Sequence, residues 1–555
     1  TFEMFQRGET VAIFQFESSG MREYMKLLKP TDLNDLIAMN ALYRPGPMDL
    51  IPNYIARKHG REPVEYPHPM LEEVLKPTFG IPIYQEQVMQ MAQVMGSYTL
   101  GGADLLRRAM GKKKKEEMDA QRITFLKGAQ GNQVDETTAN QVFDMMEKFA
   151  GYGFNKSHSA AYSLVAYQTA YLKAHYPYAF LAAAMTSEMG DTKKLAIVLE
   201  EARHLGLKVL PPSINHSQAA FSVEGEAIRF GMAAIKGVGA GSIETICNER
   251  NQNGSFTSLY DLVKRLDLRQ VNKKTLEGLV ASGALDAFEG HRKQFIVALD
   301  DAIRFAHQAQ LNRAAGQNSL FGESSDTAIE LTPQMPFVEP WSRGETLRNE
   351  RELIGLYVSG HPLDEYGPLV RAFSTASFKD LEKLEPDREY RFCGIITEVQ
   401  KRYAKNGKPF AFITLEDFEG AGEITIFSSQ FERIGPHLIP DELVMATAKL
   451  EKRERGASLI AKDLMPMWQA QERFIKSILL RLNPEAVPAE QMQKLKEVCD
   501  QNKGGTRLYF DLLNPISGRA IRLKSRLCVI DPSPEVLRTM ERIFGPENVV
   551  LQGES

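Results

Sequence analysis

The chain has 555 residues, a formal net charge of −4, and 43% apolar and 25% charged residues. That length accommodates roughly three to five domains of about 100 to 200 residues, so one function need not account for every segment. The composition is that of a soluble globular chain without a membrane role, since no run of about 18 uncharged apolar residues offers a span, and a near-neutral charge confines any nucleic-acid role to local basic clusters.

The first residues, TFEMFQRGETVAIFQFES, have neither an initiator Met nor a signal-peptide pattern, and their alternating apolar residues read as interior chain. A piece of a longer protein is therefore expected. From Leu27 to about Asn215 the apolar spacing is helical, interrupted by YRPGPMDLIPNY, KPTFGIPIYQEQ and GSYTLGGADLL, each a turn or helix boundary. Between Gly225 and Phe288 two short helix-turn-helix signatures, IKGVGAGSIETI and VNKKTLEGLVASGALDAF, flank a predicted polar loop, NERNQNGSF. A further helix is predicted over Arg292 to Asn312, and Ala314 to Pro340 reads as a polar, Pro-bearing linker.

Alternation then replaces helical spacing. YRFCGIITEVQ, FAFITLEDFEG, AGEITIFSS, LVMATAKLEKR and SLIAKDLMPM predict five strands between Tyr390 and Met467, the number expected of a small OB-type barrel. After Phe474, strands in FIKSILLRL, TRLYFDLL and AIRLKSRLCVI alternate with helices in AEQMQKLKEVC and PEVLRTMERIF, predicting a small α/β domain. The fold class is therefore multidomain α+β, divided at 1–224, 225–313, 314–340, 341–389, 390–468 and 469–555. Cys247, Cys393, Cys499 and Cys528 show no CxxC spacing, against a disulfide framework or a zinc site and in keeping with a cytoplasmic location.

Five stretches carry candidate chemistry. DLLRRAMGKKKKEE holds Arg107, Arg108 and Lys112 within a cationic helix that is either a solvated face paired to Glu116 and Glu117 or a triphosphate or backbone site. AGYGFNKSHSAAYSLVAYQTAYLKAHYP places Lys156 and His158 after an aromatic turn; Asn155 stands where a P-loop needs Gly, so a Walker site is rejected. Tyr152 and Phe154 are candidates for base stacking, and Tyr162, Tyr167 and Tyr171 for a packing face. Gly237 and Gly239, beside Lys236, open a helix whose free N–H groups could hold a phosphate, with Lys273 and Lys274 in the second unit; two tight ligand-free turns remain the alternative.

Gln317, Leu320 and Phe321 form QNSLF in the linker, an apolar pair in a polar setting that could enter a partner's pocket or dock on its own domain. Arg402, Tyr403 and Lys405 form a basic-aromatic hairpin tip suited to single strands, or a merely solvated turn. No HExxH, EF-hand loop, GxSxG or Asp-x-Asp pair marks a metal-dependent or hydrolytic centre.

Together with ALYRPGPMDLIPNYIARKHG, FGIPIYQEQVMQMA and IGLYVSGHPLDEY, these stretches resemble blocks of the bacterial DNA polymerase III alpha subunits, the C-family replicative polymerases, from within the fingers to the C terminus. The resemblance implies fingers over 1–224, tandem helix-hairpin-helix over 225–313, a clamp-binding linker, an OB-fold over 390–468 and a tau-binding domain over 469–555. It further implies that Arg107, Arg108 and Lys112 face the triphosphate of an incoming dNTP, with Tyr152, Lys156 and His158 near base or phosphates. Lys236, Gly237, Gly239, Lys273 and Lys274 would hold the duplex of primer-template DNA, and Gln317, Leu320 and Phe321 would enter the sliding clamp (beta). The implied Mg²⁺ ions and the proofreading exonuclease subunit belong to the palm and N-terminal parts upstream of these blocks, so this piece should be inactive alone. Alternatives are a non-catalytic DNA- and clamp-binding scaffold and the error-prone polymerase of the same family.

Overall fold

The computed structural model describes residues 1–112, 115–150, 153–314, 333–355, 357, 359–404, 406–453, 456–483, 487–513 and 520–553, with backbone alone at some helix and strand positions, Lys112 among them. The chain divides into two compact units, Thr1–Ser342 with Asn349–Leu356 and Arg343–Arg348 with Tyr357–Ser555.

The first unit is α-rich because its apolar residues recur at helical spacing and several of its helices start on side-chain caps. Asp32 caps the helix Leu33–Leu42 in a reciprocal capping box, and Asn155 caps Lys156–His175 by accepting from His158 N–H. These two helices lie against each other through small residues: Ser159, Ser163, Ala166 and Ala170 are buried, and Ser159 Oγ donates to Ile37 O at 2.6 Å. The predicted packing face of Tyr162, Tyr167 and Tyr171 is therefore corrected. Tyr167 packs on the core and meets Phe2 at 5.2 Å, while Tyr162 and Tyr171 are exposed, since positions five and nine apart do not share a face with the small-residue stripe.

A second core gathers Met91, Leu106, Phe125 and Phe143 from the helices Gln85–Gly96, Leu100–Lys112, Lys115–Gly131 and Glu136–Ala150. Gly128 allows it: a Cβ there would stand 1.8 Å from Gly96 O, so two helix backbones touch where any side chain would separate them. Downstream, β1 (Lys208–Leu210) pairs parallel and β2 (Ser222–Val223) antiparallel with β3 (Ala227–Arg229), a sheet lying across residue 224.

The helices Ala240–Asn253, Leu259–Arg265, Lys273–Ala281 and Arg292–Ala314 follow. The predicted loop NERNQNGSF is corrected over its first six residues, which complete Ala240–Asn253. Buried Arg250 donates to Ile214 O and Ser217 O, and the helix stops at Gly254, whose φ of 82° suits glycine.

In the second unit β4 (Glu389–Tyr403), β5 (Pro409–Glu416), β6 (Ala421–Ile426), β7 (Leu443–Arg453) and β8 (Gly456–Pro466) form a closed barrel in the order β4-β5-β6-β8-β7. Alternate residues fill it, among them Phe392, Ile396, Ile413, Leu415, Ile424 and Val444. Parallel pairing of β6 with β8, Ile424 opposite Leu459, closes the ring. The last domain is a sheet ordered β11-β10-β9-β12, from β9 (Ser477–Leu482), β10 (Lys503–Leu513), β11 (Ala520–Ile530) and β12 (Val549–Gln552). The helices Ala489–Gln501 and Pro534–Phe544 share its core through Leu495, Leu537 and Met540. Sequence periodicity did not predict β12. The molecule is multidomain α+β, and among the described residues no helix is long and apolar enough to cross a membrane.

Candidate nucleotide and nucleic-acid interface

Three segments far apart in sequence meet at Tyr84 and Gln85. Tyr84 bridges Phe154 in parallel β fashion, and Gln85 N–H donates to Phe154 O at 3.0 Å. The Gln85 side chain donates from Nε2 to Gly153 O at 3.0 Å and accepts from Arg107 Nη1 at 3.3 Å, tying the cationic helix to the turn that starts Lys156–His175. Lys156 Nζ stands 5.4 Å from the Tyr84 ring centroid. Arg107 and Lys156 thus reach two adjacent side chains, those of Gln85 and Tyr84.

Both arginines share a carboxylate. Arg107 donates from Nε and Nη2 to Asp104 Oδ1 at 3.0 and 2.8 Å, and Arg108 Nη2 meets Asp104 Oδ2 at 2.9 Å. Their guanidinium groups, the Arg107 hydrogen bonds foremost, hold the Asp104 carboxyl below its usual range. The partner is thus Asp104, three and four residues back on the same helix. Arg108 is the more accessible of the two, its side chain 63% exposed against 30% for Arg107.

The N terminus of Lys156–His175 already holds an anion. Glu86 accepts from Lys156 N–H through both oxygens at 3.1 and 3.0 Å and from Asn155 Nδ2 at 2.9 Å, while Asn155 Oδ1 takes His158 N–H. Two of the backbone donors of this helix start, Lys156 and His158 N–H, are therefore engaged, and Glu86 already offsets the dipole. Beside it, Arg44, Phe154, His158 and Tyr162 line a cavity of about 180 Å³. His158 stacks on Tyr162 at 4.2 Å and Phe154 meets His158 edge-on at 5.3 Å. Arg44 lies 4.3 Å over Phe154, covering one face of the ring proposed for stacking, and burial lowers the Arg44 pKa.

In the helical pair, Gly237 takes φ 83° and Gly239 starts Ala240–Asn253 with no side-chain cap. Lys236, Gly237, Gly239 and Lys274 are exposed, and a Cβ on Gly237 would lie 3.6 Å from Lys274 Cε, so the two turns are neighbours. Lys236 Nζ stands 3.9 Å from Glu352. Lys273 is committed elsewhere, 2.7 Å from Asp300 and 3.9 Å from Glu277. On the barrel hairpin, Arg402 and Tyr403 are neighbours on β4 and so point to opposite faces: Arg402 sits 5.4 Å over Phe412, and Tyr403 is 77% exposed.

The side chain of Lys112, and Tyr152, Gln317, Leu320, Phe321 and Lys405, lie outside the described residues. Sequence reasoning missed Arg44, Gln85, Glu86 and Asp104. Asp104 was legible from its spacing to the arginines, whereas the other three reach the site through tertiary packing. Among the described residues no three His, Cys, Asp or Glu side chains converge as a metal site, so the implied Mg²⁺ ions fit no residue set here and none is assigned to them.

Three family models match the chain: the bacterial DNA polymerase III alpha subunit finger domain over residues 1–133, a helix-hairpin-helix motif over 206–295, and an OB-fold nucleic acid binding domain over 390–467. The DNA polymerase III subunit alpha of Haemophilus influenzae is 40% identical over all of this chain and 49% of its own length. Those of Vibrio cholerae and Escherichia coli K12 are each 38% identical over all of this chain and 48% of their own length. The chain therefore spans about half the length of the curated relatives it matches. With finger, helix-hairpin-helix and OB-fold matches in that order and relatives of one name along its full length, the chain belongs to the bacterial DNA polymerase III alpha subunit family, matching the C-terminal half of its members.

Proposed function

We propose that this chain supplies the nucleotide-positioning and DNA-holding half of a template-directed, replicative DNA polymerase. Residues 1–224 act as fingers, 225–313 grip duplex, 314–340 tether the sliding clamp through Gln317, Leu320 and Phe321, 390–468 contact single strands through Arg402, Tyr403 and Lys405, and 469–555 bind the tau subunit of the clamp loader. The observation that carries the reading is that Arg107 and Lys156, from separate helices, reach the adjacent residues Gln85 and Tyr84, with Gln85 also tied to Gly153.

Arg108 and Arg107 bind triphosphate oxygens in place of the single Asp104 carboxylate, with Lys112 as support; planar guanidinium groups suit phosphate better than point charges do. Lys156 adds a further cation, and the base rests near His158 and Tyr152. Phosphoryl transfer gains from such fixed cations because they meet charge that shifts toward the leaving pyrophosphate. The Mg²⁺ ions and the exonuclease contact belong to the other half of the polymerase, so the chain alone positions substrate without turning it over.

The test is dNTP affinity of the chain, measured by anisotropy of a fluorescent dNTP on primer-template DNA. Arg107→Ala with Arg108→Ala should lose about tenfold or more, the effect expected from removing two charge-assisted hydrogen-bond donors. Unchanged affinity would leave a scaffold that uses DNA and clamp contacts only.

A further inference from the structure

The helices Ala489–Gln501 and Pro534–Phe544 pack on one face of the β11-β10-β9-β12 sheet, where Ile478, Leu480, Leu508 and Leu551 join their core. Strand alternation sends the intervening residues to the opposite face. There the register aligns Arg481 with Asp511 and Arg522, Leu479 with Tyr509 and Lys524, and Ser477 with Arg507 and Val529. Arg481, Arg507, Arg522 and Lys524 are exposed, and Tyr509 stands half-buried among them on a central strand.

Four cations thus face one carboxylate, and Asp511 is already bound by Arg522, from Nε and Nη2 at 2.8 Å each. Arg507 and Lys524 have no ion pair among the described residues. Such clustering of like charge on one sheet face is unfavourable by itself and is relieved by a polyanion.

We propose that this face binds single-stranded nucleic acid, a base stacking on Tyr509 while Arg507, Lys524 and Arg481 hold the flanking phosphates. An aromatic on a central strand with helices behind the sheet is how open sheets stack unpaired bases, and stacking accepts any base. An acidic peptide would use the cations and leave the aromatic without a role. The site shares no residue with the barrel hairpin or with the helical turns at Gly237.

The full chain should be irradiated with an oligothymidylate of about ten nucleotides carrying 5-iododeoxyuridine, within the usual footprint of a single-strand site. A cross-link to Tyr509, within the peptide Lys503–Leu513, is expected. Arg507→Gln with Lys524→Gln, both exposed and remote from the core, should lower its yield about tenfold and leave thermal unfolding unchanged. The salt slope for release of that cross-linked fraction should fall by roughly 1.4, at about 0.7 for each phosphate contact. Cross-links confined to other segments, or a yield insensitive to the double variant, overturn the proposal. So does full displacement by polyglutamate of the oligonucleotide's cross-link, which would assign the face to an acidic protein. Duplex binding through Lys236 and Lys274 is measured separately, so failure here leaves that reading standing and its failure leaves this one.

Discussion

The two ends of the helix Lys156–His175 each carry a lysine, and the two are used in opposite ways. Lys173 is buried: Nζ donates to Glu201 at 2.6 Å and to Glu9 O and Val11 O at 2.9 Å each, so all three ammonium donors are used inside the protein. Burial lowers its pKa against the attraction of Glu201. Lys156 is exposed, its ammonium lying near the Tyr84 ring. A cation whose donors end on fixed internal acceptors sets the fold, whereas one with donors facing water can take a ligand. Arg107 and Arg108 fall between these limits, Arg107 bound to Asp104 and Gln85 and Arg108 to Asp104.

The contrast is broken most strongly at Lys173. Lys173→Met should destabilise the chain by about 3–5 kcal/mol, because it strands the Glu201 carboxylate in the interior. Denaturant unfolding followed by circular dichroism measures this, and a loss below about 1 kcal/mol would place Lys173 among the dispensable cations. Next come single variants of the arginine pair. Arg108→Ala should cost more dNTP affinity than Arg107→Ala, while Arg107→Ala should cost more stability through the lost Gln85 link; the reverse order in both measurements would undo the ranking by committed donors. On duplex DNA, Lys236→Gln with Lys274→Gln should reduce the logarithmic salt slope by roughly 1.8, at about 0.9 per contact. Lys273→Gln should change it less, since Lys273 is engaged by Asp300.

Most elements were legible in the sequence, and the exceptions share a cause. The barrel strands were read correctly because inward and outward residues alternate along each of them. β12 escaped because four residues, VVLQ, are too few to establish a period, and its place beside β9 depends on tertiary pairing. NERNQN read as a loop because polar residues dominate its exposed surface, while Arg250, which ties that helix down, looks polar in a sequence yet is buried. The candidate site divides in the same way. Arg107, Lys156 and His158 could be chosen by residue type, but Glu86 reaches Lys156 across 70 positions and Gln85 reaches Gly153 across 68, separations that no local pattern encodes. Lys173 sat unremarked in the aromatic-rich helix, because type and spacing do not separate a spent cation from a free one.

The smallest expected effect concerns the carboxylate between the arginines. Asp104 is ionised throughout neutral pH, since Arg107 and Arg108 hold its carboxyl below the usual range, so it repels an arriving triphosphate while it orients both guanidinium groups. These roles oppose each other. The ion pairs lie at the surface, where water and salt screen them, so orientation is weakly held. Repulsion against a multiply charged ligand within a few ångströms is the larger effect. Asp104→Asn should therefore tighten dNTP binding roughly two- to fivefold at low salt, with the gain shrinking as salt is added and the unfolding midpoint nearly unchanged. Titration of the fluorescent dNTP at two ionic strengths decides it. Weaker binding of the variant would mean that Asp104 is a positioning residue for the arginines, placing them closer to Lys173 than to Lys156 in the way the protein uses its charge.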